Sequence, residues 1–329
     1  MGESYVRTRL WRNGVLDKED FPFDDISDYI GQDDCLVWVG LCAPDTHRLN
    51  LLAGELSLAP QAIEDAIGHH ERPKASKYET HTYLSAYALN LLRDSGELRA
   101  EQVSAFVLPH ALVTVHNDDW FDIEAILRRW DENADLTKLG AKALAYGLLD
   151  VLVDGHFDVI QALDDEIEAL EDDLFDVNPS MAGKRQLQRR TFALRKSLVQ
   201  ARRVILPMRE VLNTITRRDT VLPEALRPYF EDLYDHVLRA AEWTESLRDM
   251  ISSVFETNLS LQDARLNTIM KQLTSWAAII AIPTAVTGFY GQNVPYPGFG
   301  QHWGFYSSAG IMVSLVVFLY VTFKRKGWL

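Results

Sequence analysis

The sequence predicts an α+β membrane protein: a charged N-terminal α/β domain, a helical hairpin, one long stalk helix and two C-terminal transmembrane helices. Three observations predict it. Residues 272–323 contain no Asp, Glu, Lys or Arg, although 24% of the 329 residues are charged. From Pro228 to Pro283 no other Gly or Pro interrupts the chain. Over the first 120 or so residues, short β-rich runs alternate with helical periodicity.

The N-terminal part, residues 1–138, reads as strands at 35–41, 82–91 and 103–115 in a small mixed sheet. Pro109-His110 marks a hairpin turn inside the last run. Between the first two strands, Asp45 is a candidate N-cap for a helix through Leu49, Leu52, Leu56, Ile63 and Ile67, and residues 118–130 again read as helical. No Gly-rich phosphate loop, nucleophile elbow or zinc-ligand spacing occurs, so no enzymatic constellation is legible. His69-His70-Glu71 is the one ligand-like cluster. Adjacent residues on a helix point about 100° apart, which favours a helix terminus over a shared metal. Cys35 and Cys42 read as buried free thiols in a reducing compartment. The N-terminus lacks the apolar core of a cleaved signal, so this domain is expected in the cytoplasm. The net charge of −14 argues against nucleic-acid binding.

Residues 139–222 read as a helical hairpin. Ten acidic and no basic residues lie between Asp154 and Asp176, and nine basic and no acidic residues between Lys184 and Arg209. The break falls at Asn178-Pro179-Ser180. Arms of opposite charge attract, although each exposed pair contributes only a few tenths of a kcal/mol.

The stalk is assigned to 223–271, with Pro228 in its first turn. A single helix over 229–282 is about 80 Å long, more than a domain core requires. One stripe runs along it: Asp249, Ser253, Glu256, Ser260, Asp263, Asn267, Met270, Thr274, Ala277, Ala281, Thr284 and Gly288. Its average step of about 3.5 residues is that of a left-handed supercoil, whose core is ordinarily Leu and Ile. Here the stripe is small or polar apart from Met270, while Trp276, Ile279, Ile280 and Ile282 flank it. A polar seam in apolar surroundings suits a water-filled pore lining. A close helix–helix contact through small residues is the alternative. Glu256 and Asp263, acidic members at one end, are candidate cation contacts and favour cations over anions.

Residues 272–290 and 306–323 are the two spans, each near the minimum of about 20 residues for the hydrocarbon core. Lys271 precedes the first, and Lys324, Arg325 and Lys326 follow the second, so both termini are expected in the cytoplasm. The loop 291–305, rimmed by Phe289, Tyr290, Trp303, Phe305 and Tyr306, then lies outside. Residues 324–329 form a basic cytoplasmic tail. Two spans do not enclose a pore, so a pore requires a ring of subunits.

These residues resemble a known family. Asn267-Thr268-Ile269-Met270-Lys271-Gln272-Leu273-Thr274, Pro283-Thr284, Gly288-Phe289-Tyr290-Gly291-Gln292-Asn293 and the basic tail ending Trp328-Leu329 occur in the order found in the CorA divalent-cation channels. Tyr229-Phe230-Glu231-Asp232-Leu233-Tyr234-Asp235-His236 is similar to the start of that family's stalk. The resemblance is to a branch of actinobacterial type and implies a pentameric funnel: a homopentamer, embedded in lipid of the inner membrane. Transport of Mg2+ is implied, with regulation by intracellular divalent cation. Zn2+ transport of the ZntB type, or Co2+ or Ni2+, is the alternative, and a non-conducting membrane-anchored cation sensor or scaffold a third reading. No small-molecule substrate beyond metal ions is implied.

The resemblance also implies roles. Gly291, Gln292 and Asn293 stand at the family's Gly-Met-Asn signature at the outer mouth, with Asn293 holding a hydrated cation, Gly291 at the bend and Gln292 departing from Met. The loop lacks the acidic residues that members often carry there. Asn267 matches a polar ring at the inner entrance, and Met270 and Leu273 an apolar constriction. Ala281 stands where many members have a larger apolar residue. Asp232 matches a carboxylate that shares a regulatory cation with a neighbouring subunit, with Asp94 as candidate partner. Lys324, Arg325 and Lys326 resemble a basic ring around the inner mouth.

Overall fold

The computed structural model describes residues 5–44, 46–68, 72–93, 95–118, 120–174, 181–218, 222–292 and 294–329. Seven strands among them form one sheet: β1 (Tyr5–Arg12), β2 (Val15–Glu19), β3 (Cys35–Cys42), β4 (Lys74–Lys77), β5 (Thr82–Leu92), β6 (Glu97–Val107) and β7 (Ala111–His116). The helices are α1 (Ile26–Ile30), α2 (Thr46–Glu55), α3 (Pro60–Ile67), α4 (Ile123–Glu132), α5 (Ala134–Thr137), α6 (Ala141–Leu174), α7 (Met181–Arg218), α8 (Arg227–Tyr290) and α9 (His302–Arg325). The chain divides into two compact units, Met1–Ser252 and Ser253–Leu329.

In the first unit the strand order is β2-β1-β3-β7-β6-β5-β4. Neighbouring strands are antiparallel except β3 and β7, which pair in parallel. The sheet has a core on each face, and strand alternation sends successive side chains to opposite cores. Trp38, Leu84, Ala86, Val103, Ala105 and Leu112 enter one core with α4, α6, α7 and the first turns of α8. Val37, Val39, Tyr83, Phe106 and Val113 enter the other with α2 and α3. All eight residues of β3 are therefore buried, as a strand covered on both faces requires. Both Cys35 and Cys42 lie in it, buried and outside any disulfide.

The hairpin turn at Pro109-His110 is where the sequence placed it, between β6 and β7. The expected small sheet is larger, because β1, β2 and β4 were not legible. Three arginines interrupt the apolar pattern of β1; Arg9 is buried there, bridged to Glu19 at 2.7 Å and Asp131 at 2.8 Å. The single helix expected from Asp45 to Ile67 is two helices, α2 and α3. Pro60 occupies the first turn of the second, where its missing N–H is harmless. Asp45 and His69-His70-Glu71 lie outside the described residues.

Helices α6 and α7 form the antiparallel hairpin. Arg190 bridges its arms, to Glu166 at 3.1 Å and Asp173 at 2.7 Å. The basic arm also reaches α8, where Arg202 meets Glu245 at 2.5 Å. Trp130 of α4 fixes the other end of α6: its Nε1 donates to the Leu144 carbonyl at 3.0 Å, and its ring meets Trp38 and Trp11 edge-on.

Candidate ion pathway

Helix α8 runs unbroken for 64 residues, through Pro283. Every member of the small and polar stripe from Ser253 to Gly288 is exposed. So are Met270 (58%) and Leu273 (63%). Ser275 and Ile279 are buried, and Ile282, Val286 and Tyr290 half-buried. At 100° per residue this second line lies about 160° around the helix from the membrane half of the stripe, Thr274 to Gly288. The seam thus occupies the face of α8 opposite its buried line. Three hydroxyls of the apolar half bond within the helix: Ser275 to the Lys271 carbonyl at 2.7 Å, Thr284 to that of Ile280 at 3.3 Å and Thr287 to that of Pro283 at 2.8 Å.

The end of α8 and the whole of α9 are long and apolar enough to cross a membrane. Phe305 (70%), Val313 (61%) and Phe318 (64%) are bare on α9. So much exposed apolar surface requires lipid or further protein around it.

Gly291 ends α8, its N–H donating to the Thr287 carbonyl at 2.8 Å, and the Gln292 N–H reaches the Phe289 carbonyl at 3.3 Å. Asn293 lies outside the described residues. At the other end of α9, Lys324, Arg325 and Lys326 are exposed. Trp328 folds back onto Phe323 with rings stacked 5.5 Å apart, and the Lys326 ammonium lies 5.6 Å from the Trp328 ring. Trp328 thus packs against the last turn of α9 with Lys326 over its ring.

Asp232 sits on the first turns of α8, between Phe230 and Leu233, which enter the core. Its carboxylate is 70% exposed, with His236 Nε2 3.8 Å away. Asp94 lies outside the described residues, and Glu256 and Asp263 are exposed farther along α8. Among the described residues no three His, Cys, Asp or Glu converge as a metal site. A cation held at Asp232 accordingly needs ligands beyond these.

Under this turn lies a network that sequence reading missed. Arg129 of α4 bridges Asp150 and Asp154 of α6. Burial pushes the Asp150 carboxyl up, and Arg129 opposes that shift. Tyr146 packs edge-on against Tyr229 and Phe230, and burial raises its hydroxyl to about 12. The available signal was Asp150 itself, a carboxylate inside the apolar run Leu148-Leu149-Asp150-Val151-Leu152, which calls for a cationic partner.

The family described as CorA-like Mg2+ transporter protein matches residues 33–325. The chain is 30% identical over 299 residues to the cobalt/magnesium transport protein CorA of Thermotoga maritima, covering 89% of this chain and 83% of that one. The complete structure of the CorA magnesium transporter from Methanocaldococcus jannaschii is similar with a TM-score of 0.79 and 24% identity over the whole of both chains. The ZntB cytoplasmic domain from Vibrio parahaemolyticus is similar with a TM-score of 0.53 and 14% identity, over 80% of this chain and 100% of that one. At these identities the two structural likenesses speak to fold alone.

Proposed function

Since the chain belongs to the family of CorA-like Mg2+ transporter proteins, we propose that it forms a homopentameric channel admitting Mg2+ down the membrane potential, closed by internal divalent cation. It is a divalent-cation transporter of the membrane and not an enzyme. The observation that carries the mechanism is the exposed, uncharged part of the α8 seam, from Asn267 to Gly288.

Five copies of that seam, from Asn267 through Thr274, Ala277, Ala281 and Thr284 to Gly288, line the pore. Mg2+ gives up its water reluctantly, so hydroxyl and amide groups that bond to a retained hydration shell suit it better than fixed carboxylates. Met270 and Leu273 form the apolar constriction and Asn267 the polar ring. Gly291-Gln292-Asn293 forms the outer mouth, and Lys324, Arg325 and Lys326 surround the inner one. The segment 1–138, the hairpin 139–222, the stalk 223–271 and the tail 324–329 are cytoplasmic. The spans 272–290 and 306–323 sit in lipid of the inner membrane, with 291–305 outside.

In the feedback arm, a divalent cation bridges Asp232 to a carboxylate of the neighbouring subunit, Asp94 by resemblance, and holds the ring closed. When internal cation falls, the like charges repel and the ring loosens. Glu256 and Asp263 concentrate cations along the stalk.

A second reading, Zn2+ or Co2+ transport, is favoured by Gln292 standing where the family signature has Met. Flux into proteoliposomes loaded with Mg2+- or Zn2+-sensitive dye, with competition and an imposed pH gradient, tests both. Mg2+ entry resistant to excess Zn2+ is expected. Preferred Zn2+ entry moves the assignment to the second reading, and no entry of any divalent ion leaves a non-conducting sensor or scaffold.

A further inference from the structure

The segment joining α8 and α9 is closed at both ends by contacts that involve no charged group. At the first end, the half-buried ring of Tyr296 meets that of Tyr290 edge-on, with centroids 4.9 Å apart. Phe289 and Phe299 flank it at 6.4 and 5.3 Å. The aromatic contact therefore holds Tyr296 against the last turn of α8.

At the second end, Gly298 and Gly304 touch main chain to main chain. Gly304 is buried in the first turn of α9. A Cβ there would stand 2.4 Å from the Gly298 carbonyl oxygen and 2.9 Å from its carbon. A Cβ on Gly298 would stand 2.8 Å from Gly304 Cα, and Gly298 also has φ +94°, a conformation natural only to glycine. The obstructing atoms are mainly backbone, so no rotamer change relieves the clash. The turn between the two glycines is tied by the Gln301 N–H to the Gly298 carbonyl at 3.0 Å and the Gly304 N–H to the Gln301 carbonyl at 3.1 Å. Gly310, farther along α9, is open by contrast: a Cβ there would meet nothing within 4 Å.

We propose that the Tyr290–Tyr296 ring contact and the Gly298–Gly304 main-chain contact form a positioning clamp for Gly291-Gln292, the described part of the proposed outer mouth. The clamp sets the affinity with which the outer mouth captures its cation. This rests on the reading of that motif as the mouth. Oxygen donors held in place by a rigid frame lose little freedom when the ion arrives, whereas a slack loop must be ordered at that moment. Tyr296 and Gly304 act through the motif and not on the ion.

The test uses the full chain in proteoliposomes, with Mg2+ concentration dependence of uptake and amide hydrogen exchange over 294–304 as separate readouts. Gly304→Ala and Tyr296→Ala are expected to raise the half-saturating Mg2+ concentration about 10–100-fold, the usual effect of displacing supports around a metal site. Subunit assembly and inhibition by internal Mg2+ should stay at wild-type levels, and loop amides should exchange faster. Tyr296→Phe, which keeps the ring, and Gly310→Ala should match wild type in both readouts. Unchanged half-saturation in a Gly304→Ala or Tyr296→Ala variant whose loop exchanges faster overturns the positioning role. Unchanged exchange overturns the clamp. If Gly304→Ala does not assemble, the Tyr296 pair decides. A wild-type protein that admits no Mg2+ overturns the mouth reading and the clamp's role with it, while the exchange data still register whether the loop is held.

Discussion

His156 of α6 donates its Nε2 proton to the main-chain carbonyl of Tyr87 on β5, across 2.8 Å. A carbonyl only accepts, so this bond fixes the tautomer and leaves Nδ1 as the bare nitrogen, with no partner in the buried interior. Burial pushes His156 down to about 4, and His116, at the end of β7, likewise to about 4. The unfolded chain takes up these protons near 6.5, and the folded chain only near 4. Stability therefore falls as pH drops through that window, and the His156 contribution is about 3 kcal/mol. Thermal unfolding of the detergent-solubilised protein should show this fall, and in His156→Gln it should be shallower between pH 6.5 and 4. Equal slopes in the two proteins would refute the assignment.

The two arginines of the helical layer should differ in weight. Arg129 faces Asp150, whose side chain is only 10% exposed, whereas Arg190 and its partners are more open to solvent. Arg129→Met strands a buried carboxylate and should destabilise by about 3 kcal/mol. Arg190→Ala should lose about 1 kcal/mol or less. Thermal midpoints of the two variants measured side by side give the comparison, and a larger loss for Arg190→Ala would reverse this reading.

The seam predicts where bulk is tolerated. Ala277→Phe puts a ring on the proposed pore face and should cut Mg2+ flux to below about a tenth. Ile311→Phe puts the same ring on α9 and should leave flux unchanged. Dye-monitored uptake at matched reconstitution distinguishes them, and equal flux in both would remove the seam from the pathway.

Asp232→Ala should leave Mg2+ entry intact and weaken its inhibition by internal Mg2+ about tenfold, within the usual range of allosteric coupling. Currents recorded while internal Mg2+ is stepped supply the test. Inhibition at the wild-type concentration would take Asp232 out of the feedback site.

At the mouth, Asn293→Ala should abolish saturable Mg2+ uptake, while Gln292→Met should keep it and alter competition by Co2+ or Zn2+. Wild-type Mg2+ uptake by Asn293→Ala would end the role given to that residue.

Much of this was legible one residue at a time. The missing charge over 272–323, the basic tail and the step of the stripe are properties of composition and spacing, which need no knowledge of what lies opposite. The sheet was only partly legible. Strands β3, β5 and β6–β7 announce themselves through apolar β-formers, but β1 does not, because its arginines find partners as distant as Asp131. Asp150 gave a hint and Arg129 none, since a buried pair twenty-one residues apart exists only once α4 lies on α6.

By itself the sequence determined that two long uncharged apolar segments lie over 272–290 and 306–323 and that a small, polar seam leads into the first. Hydropathy, charge and helical period are local, and a membrane reads them directly. Only the tertiary structure decided that β3 pairs in parallel with β7, that the seam lies opposite the buried line of α8 and that Gly298 meets Gly304. Each of these depends on which surfaces come into van der Waals contact, and close packing settles that for the folded chain as a whole.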